Sequence, residues 1–251
     1  MTSEEFTLAA KRLLPFADYL YFHLMGEPLL HPLLGKFLDI AGELGHKVII
    51  TTNGTLLSEA ADTLCSAKAL HKVSISLHCR EANSVFPDGD GYLDTCFDFC
   101  EKAAKAGKIA VMRLWNIGGM SSENADILER MRARFKGEWK EIYSGYKLSE
   151  RIFLEWGEKF DWPDTEAPED GVRHSCYGLS DQIGVLCDGS VVPCCLDAEG
   201  AVLLGNIYDS ELSDILSCKR AKALSRSFER YEPCEELCKR CGYAARFTKK
   251  T

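Results

Sequence analysis

No apolar run in this sequence approaches the ~20 residues of a membrane span. Stretches such as Val48-Ile49-Ile50 are only long enough for a buried strand. No basic, apolar leader is present either, since Met1-Thr2-Ser3-Glu4-Glu5 is polar and acidic. Positive charge is not in surplus. Thirty Lys and Arg stand against 38 Asp and Glu, a net charge of −8, so the bulk field does not favour phosphate backbones or anionic lipid. Repeats and low-complexity tracts are missing, and with 20 Gly and 8 Pro among 251 residues, collagen-like and disordered chains are excluded. The expectation is a soluble, cytoplasmic globular protein with neither nucleic acid nor a membrane as partner. At about 150 residues per domain it has one large domain, or one domain with a small appendage.

What the sequence has in excess is cysteine: 12 in a chain large enough to need no disulfide staples. In a reducing compartment such thiols point to metal. Cys65, Cys79, Cys96, Cys100 and Cys218 are scattered, whereas Cys176, Cys187, Cys194, Cys195, Cys234, Cys238 and Cys241 crowd into the last third.

The first part of the chain alternates two periodicities. Thr2 and Glu5 have capping-box spacing ahead of a helix with Phe6, Ala9, Leu13 and Leu14 on its apolar face. Strands are expected over Asp18–Leu24, Lys47–Thr52, Lys72–Leu77, Ile109–Trp115 and Arg151–Trp156. The helices between them are expected over Pro32–Leu44, Ser58–Leu70, Tyr92–Ala106 and Asn124–Phe135. This is the α/β pattern of a parallel sheet or barrel built from crossovers, whose chemistry sits at the carboxyl ends of the strands. Loops with a functional look follow these strands: Met25-Gly26-Glu27-Pro28, Thr51-Thr52-Asn53-Gly54 and Ser76-Leu77-His78. Each one taken alone is ordinary turn chemistry.

The acidic, proline-bearing stretch Asp161–Gly171 has linker composition, so the boundaries are set at 1–160, 161–175 and 176–251. Beyond the linker, Gln182–Cys187 and Ser190–Cys194 flank Asp188-Gly189, the dipeptide of a two-residue hairpin turn. Pairing across that turn puts Cys194 on the face of Ile183, Val185 and Val192. A single helix is expected from about Glu211 to Phe228.

Cys176 before the hairpin and Cys194 on its return strand supply two thiolates, and Cys238-Lys239-Arg240-Cys241 supplies two more at the spacing of a metal-binding turn. Neighbouring strand residues face opposite ways, so Cys194 and Cys195 cannot both serve one centre. Cys187, Cys195 and Cys218 are read as buried small hydrophobes. Cys234, Cys238 and Cys241 also match C-x-x-x-C-x-x-C, which is taken as incidental.

Together these features resemble the radical SAM family with a C-terminal SPASM or twitch-type iron–sulfur domain, over essentially the whole chain. Met25-Gly26-Glu27-Pro28 is similar to the family's GGEP motif, with Met25 in place of its first glycine, and Thr52–Leu57 and Ser74–His78 are similar to the segments of the next two strands. The resemblance implies a partial (β/α)6 barrel plus a small hairpin-and-helix iron–sulfur domain. It implies an auxiliary [4Fe–4S] cluster on Cys176, Cys194, Cys238 and Cys241, and S-adenosylmethionine near Gly26, Glu27, Asn53, Ser76 and Arg113. Members of the family cleave S-adenosylmethionine to a 5′-deoxyadenosyl radical, which implies an electron donor and a substrate that can be a peptide or protein. In the family, a first strand and a C-x-x-x-C-x-x-C loop precede GGEP. Here Met1 begins at the following helix, so the chain is expected to lack the catalytic cluster, to be inactive alone and to expose the edge of Asp18–Leu24. A non-catalytic iron–sulfur scaffold and a zinc module are the alternative readings.

Overall fold

The computed structural model describes residues 1–79, 91–169, 171 and 173–247. Asp170 and Val172 of the expected linker, and residues 248–251 of the expected C-terminal domain, lie outside them. The chain forms two compact units. One is Phe16–Lys159; the other joins Met1–Pro15 to Phe160–Thr251.

The first unit is a mixed sheet in the order β1-β2-β3-β4-β7-β6-β5. Its parallel part comprises β1 (Tyr19–Phe22), β2 (Lys47–Thr52), β3 (Leu70–Ser76), β4 (Ile109–Ile117) and β7 (Ile152–Glu158). These are the five expected strands, shifted by a few residues at their ends. Among the described residues β1 and β5 end the sheet, so it is not closed into a barrel. A short antiparallel hairpin, β5 (Lys140–Ile142) and β6 (Gly145–Lys147), extends the sheet beyond β7. Its strands of three residues are too short to carry an alternating pattern, so the sequence gives no sign of them.

The crossover helices are Leu34–Leu44, Leu57–Ser66, Gly91–Lys105 and Asn124–Arg134. Leu34–Leu44 stops at Gly45, whose φ of +91° is the left-handed cap that glycine adopts without penalty. One sheet face carries the core: Val48, Ile50, Val73, Ile75, Met112, Leu114 and Leu154 are fully buried. The opposite face follows from the alternation of strand side chains. In register, Ser76 lies beside Arg113, and Arg113 beside Glu155. Lys72 and Ser74 precede Ser76 on that same face, interleaved in register with the apolar Ile49, Val111 and Phe153.

In the second unit the helix α1 (Ser3–Leu13) has the expected capping box, with Thr2 and Glu5 hydrogen-bonding reciprocally at 2.6 and 3.2 Å. Its Ala9 and Leu13 join the core formed by Val191, Val202, Ile207, Leu224 and Phe228. Arg12 fastens it there, donating to the Ile207 carbonyl at 2.6 Å and pairing with Glu211 at 2.9 Å. Helical periodicity says only that α1 has an apolar face. Which core that face enters is decided by shape and by Arg12, and it is the core built from the end of the chain.

Three expectations for this unit are corrected. The hairpin β8 (Gly184–Val185) and β9 (Ser190–Val192) pairs Val185 with Val191. The Gly189 amide donates to the Leu186 carbonyl, and that of Leu186 to Ser190, so Cys187-Asp188-Gly189 is a three-residue turn with Gly189 at φ +84°. Val185 thus shares its face with Val191 and not with Val192 and Cys194. A third strand, β10 (Gly205–Asn206), completes a small antiparallel sheet. Second, the helix expected over Glu211–Phe228 is two helices, Leu212–Leu216 and Lys219–Glu229. Third, Cys218 separates them as an N-cap, its Sγ accepting from the Ala221 amide at 3.3 Å, while Cys187 is exposed and Cys195 only partly buried. None of these three is a buried small hydrophobe.

Candidate functional site

The thiols of Cys176, Cys194, Cys238 and Cys241 line one cavity, together with apolar side chains that include Phe228 and Leu237. The assembly can be followed bond by bond. The Gly178 amide donates to Cys176 Sγ at 3.3 Å, and the next amide, Leu179, donates to the Pro193 carbonyl at 3.2 Å. This lays the Cys176 segment beside the residue before Cys194. A Cβ on Gly178 would sit 3.2 Å from that same carbonyl, which explains a small residue two places after Cys176. Asp197 fixes the loop that follows Cys194 by accepting from the Ala201 and Val202 amides, both at 2.8 Å.

Cys238 lies in the short helix Glu236–Lys239, and Cys241 lies in the turn beyond it. Arg240 anchors that turn on the acidic, proline-bearing stretch, donating to the Ala167 carbonyl at 2.6 Å and pairing with Glu169 at 3.3 Å. At Gly242 a Cβ would come within 2.7 Å of the Asp161 carbonyl. The stretch with linker composition is therefore packed against the thiol turn. Cys234 is exposed and is not on the cavity wall.

Burial pushes the Cys194 thiol up to about 12, and it raises Cys238 and Cys176 as well. Repulsion among the thiolates of Cys194, Cys176 and Cys241 adds to the rise at Cys238. In an apolar pocket these groups resist ionisation until a cation shares the space, and binding such a cation displaces their protons. Cys195 sits just off the cavity, its Sγ 3.6 Å from Gln182 Oε1. A signal missed in the sequence is His174. It is 2% exposed and lies on the cavity wall two residues before Cys176.

The second set of residues lies at the carboxyl ends of the parallel strands. Glu27 caps a short helical turn, Pro28–Leu30, after β1. Its Oε1 accepts from the Leu29 amide at 3.1 Å and from Thr52 Oγ1 at 2.8 Å, and its Oε2 accepts from the Asn53 amide at 2.8 Å. The carboxylate is thus a brace between the loops after β1 and β2. Gly26 has φ +84° and Leu24 +95°, so the left-handed backbone falls on either side of Met25. No glycine-only conformation is required at Met25 itself, which is exposed.

Asn53 turns its Oδ1 onto the Thr55 amide at 3.0 Å, and its carbonyl accepts from Tyr92 Oη at 2.6 Å. Arg113 pairs with Glu155 at 3.4 Å and lies 4.6 Å from the Trp115 ring centre. His78 Nδ1 lies 3.2 Å from the Arg113 carbonyl oxygen and 3.3 Å from the Trp115 amide nitrogen, tying the ends of β3 and β4. Burial lowers the affinity of both His78 and His23 for a proton, and the nearby Arg113 charge acts in the same direction. Two buried polar atoms on this face, Ser74 Oγ and Trp115 Nε1, have no hydrogen-bond partner among the described residues.

Comparison with known proteins agrees with this arrangement. Residues 176–242 match the SPASM family, described as an iron–sulfur cluster-binding domain. A search of curated proteins found no match. Among solved structures, BtrN in complex with AdoMet and 2-DOIA is 20% identical with a TM-score of 0.58, over 96% of this chain and 80% of that one. Native anSMEcpe with bound AdoMet is 17% identical with a TM-score of 0.62, over 100% of this chain and 82% of that one. Streptococcus suis SuiB bound to S-adenosylmethionine is 15% identical with a TM-score of 0.59, over 96% of this chain, which spans 65% of SuiB. At such identities the likeness is one of fold. Residues 176–242 are thus similar to the SPASM iron–sulfur cluster-binding domain, and the chain shares its overall fold with BtrN, anSMEcpe and SuiB.

Proposed function

We propose that Cys176, Cys194, Cys238 and Cys241 hold an auxiliary [4Fe–4S] cluster, and that the protein works with S-adenosylmethionine on a peptide or protein substrate. One observation carries the reading: four thiols spread over more than 60 residues of sequence line a single cavity. The donor set fits, since soft thiolates in an apolar wall suit iron–sulfur ligation. A single Zn²⁺ held at about 2.3 Å by four sulfurs would bring those sulfurs within about 4 Å of one another. Among the described residues no three Cys, His, Asp or Glu side chains are grouped for one ion. The iron–sulfur reading draws instead on the likeness of residues 176–242 to an iron–sulfur cluster-binding domain.

The cluster, when bound, would supply one-electron chemistry, with an external electron donor. The chain's own residues contribute position and charge. Glu27 holds the loops after β1 and β2 in fixed relation, which presents the backbone around Gly26 to the amino group of S-adenosylmethionine. Asn53, Ser76 and Arg113 would meet its ribose and carboxylate. Arg113 is suited to a carboxylate because Glu155 and the Trp115 ring hold its guanidinium in place. The unpartnered Ser74 Oγ and Trp115 Nε1 are free to bond a ligand on that face.

The peptide reading draws on two relatives in fold: SuiB was crystallised bound to precursor peptide SuiA, and anSMEcpe with AdoMet and the Cp18Cys peptide. The test is anaerobic reconstitution with iron and sulfide, followed by metal analysis and absorption spectroscopy. About four iron and four sulfide per chain are expected, with loss in Cys194→Ala and Cys238→Ala. Zinc in their place, or no metal, overturns the reading. Calorimetry with S-adenosylmethionine tests the second site, where Arg113→Met is expected to weaken binding.

A further inference from the structure

We propose that His174 is the positioning residue of the thiol site, fastening the Cys176 segment to the Cys238–Cys241 turn. The proposal rests on the reading of those cysteines as cluster ligands. His174 Nδ1 lies 2.9 Å from the Ser175 carbonyl oxygen, and Nε2 lies 3.1 Å from the carbonyl oxygen of Cys238, 64 residues away in sequence. Carbonyl oxygens only accept and a neutral imidazole carries one N–H, so the ring donates to one of the two at a time; with the proton on Nε2 it donates to the Cys238 carbonyl and bridges the two segments.

Three features make this more than packing. The ring is 2% exposed in a largely apolar wall, where an imidazole is costly unless its nitrogens find partners. The Cys238 carbonyl belongs to a helix of four residues, Glu236–Lys239, whose last carbonyls have no partner within the helix. His174 supplies a donor for one of them. Finally, both accepting carbonyls adjoin a ligand: one belongs to Cys238 itself and the other to the residue before Cys176.

A ring that ties these peptides together sets the separation of Cys176 from Cys238. With the proton on Nε2 it also occupies the negative end of the Cys238 peptide dipole beside the cavity. Reduction adds negative charge to a cluster, so donors that engage nearby carbonyls favour the reduced state, and their loss disfavours it.

The experiment uses the full chain, loaded anaerobically with iron and sulfide. Wild type is compared with H174F, which keeps the bulk and removes the ring donor, and with two amides. In H174Q the amide nitrogen reaches the place of Nε2; in H174N it reaches that of Nδ1. Readouts are iron and sulfide content, retention against a chelator, the electron paramagnetic resonance spectrum of the dithionite-reduced protein and the midpoint potential.

In H174F, iron retention is expected to weaken by about tenfold, as for loss of other supporting contacts at metal sites. Its midpoint potential should move to more negative values with an altered spectrum. H174Q should recover much of the retention and potential, whereas H174N should resemble H174F. Wild-type retention, spectrum and potential in H174F would overturn the proposal, as would H174Q performing no better than H174N. If H174F fails to fold by circular dichroism, the comparison of the two amides decides. A wild-type chain that takes up no iron and sulfide brings down the cluster reading, and this proposal with it; a loaded wild type with indifferent variants brings down the proposal alone.

Discussion

Replacing Glu27 by Ala removes one carboxylate and, with it, three hydrogen bonds at 2.8 to 3.1 Å, two of which join the loop after β1 to the end of β2 while the third caps the turn within that loop. Hydrogen bonds to a charged acceptor contribute about 1.5–3 kcal/mol each when buried. Glu27 is only half-buried, so about 1 kcal/mol each is the appropriate scale, or about 3 kcal/mol in all. For a unit of this size that corresponds to a fall in Tm of roughly 6–12 °C. Glu27→Gln discriminates between shape and charge. Its one remaining oxygen can serve Leu29 and Thr52, but its amide N–H₂ then faces the Asn53 amide, donor against donor, at a cost of about 1.5–2 kcal/mol. Thermal unfolding followed by circular dichroism should therefore rank wild type above Gln and Gln above Ala, and affinity for S-adenosylmethionine should follow the same order. A Glu27→Ala protein that unfolds within about 1 °C of wild type would refute the brace.

Gly54 has φ +84°, and a Cβ there would lie 3.1 Å from both Cys96 Sγ and Ile75 Cγ2. Gly54→Ala is expected to cost about 2–3 kcal/mol, from left-handed strain plus crowding, measurable by urea unfolding. Burial pushes the Cys96 thiol from its usual value of 9.0 up to about 12. Below pH 9 the folded and unfolded chains both carry this proton. Above it the unfolded chain loses the proton first, so stability should fall by about 1.4 kcal/mol per pH unit between pH 9 and 12. Urea unfolding of Cys96→Ala over the same range should show a shallower fall; an unchanged slope would exclude Cys96 as a cause. Exposed Cys234 provides the control for the thiol site, because Cys234→Ala should keep full iron content where Cys238→Ala loses it.

The parallel strands were legible because each is a short apolar or β-branched run ending in a polar loop, and Leu34–Leu44 because Gly45 marks its end. The candidate thiols stood out through residue type and spacing alone: so many cysteines late in a chain long enough to need no disulfide staples point towards metal. Short pieces were not legible. The β5–β6 hairpin has too few residues for a period, and in the Asp188-Gly189 turn one more residue joins the loop, which reverses the faces of β8 relative to β9.

Local pattern, then, determined the five parallel strands and the longer helices to within a few residues at their ends, and which side chains were candidates to hold metal. Tertiary structure alone decided that α1 packs with the end of the chain, that Glu27 braces two loops and that Cys218 caps a helix. It alone brought His174 to the cavity of Cys176 and Cys238. The physical reason is that periodicity and spacing report a residue's neighbours along the chain. A hydrogen bond across 64 residues, or the choice of which core receives an apolar face, depends on shape and burial that exist only once the chain has closed on itself.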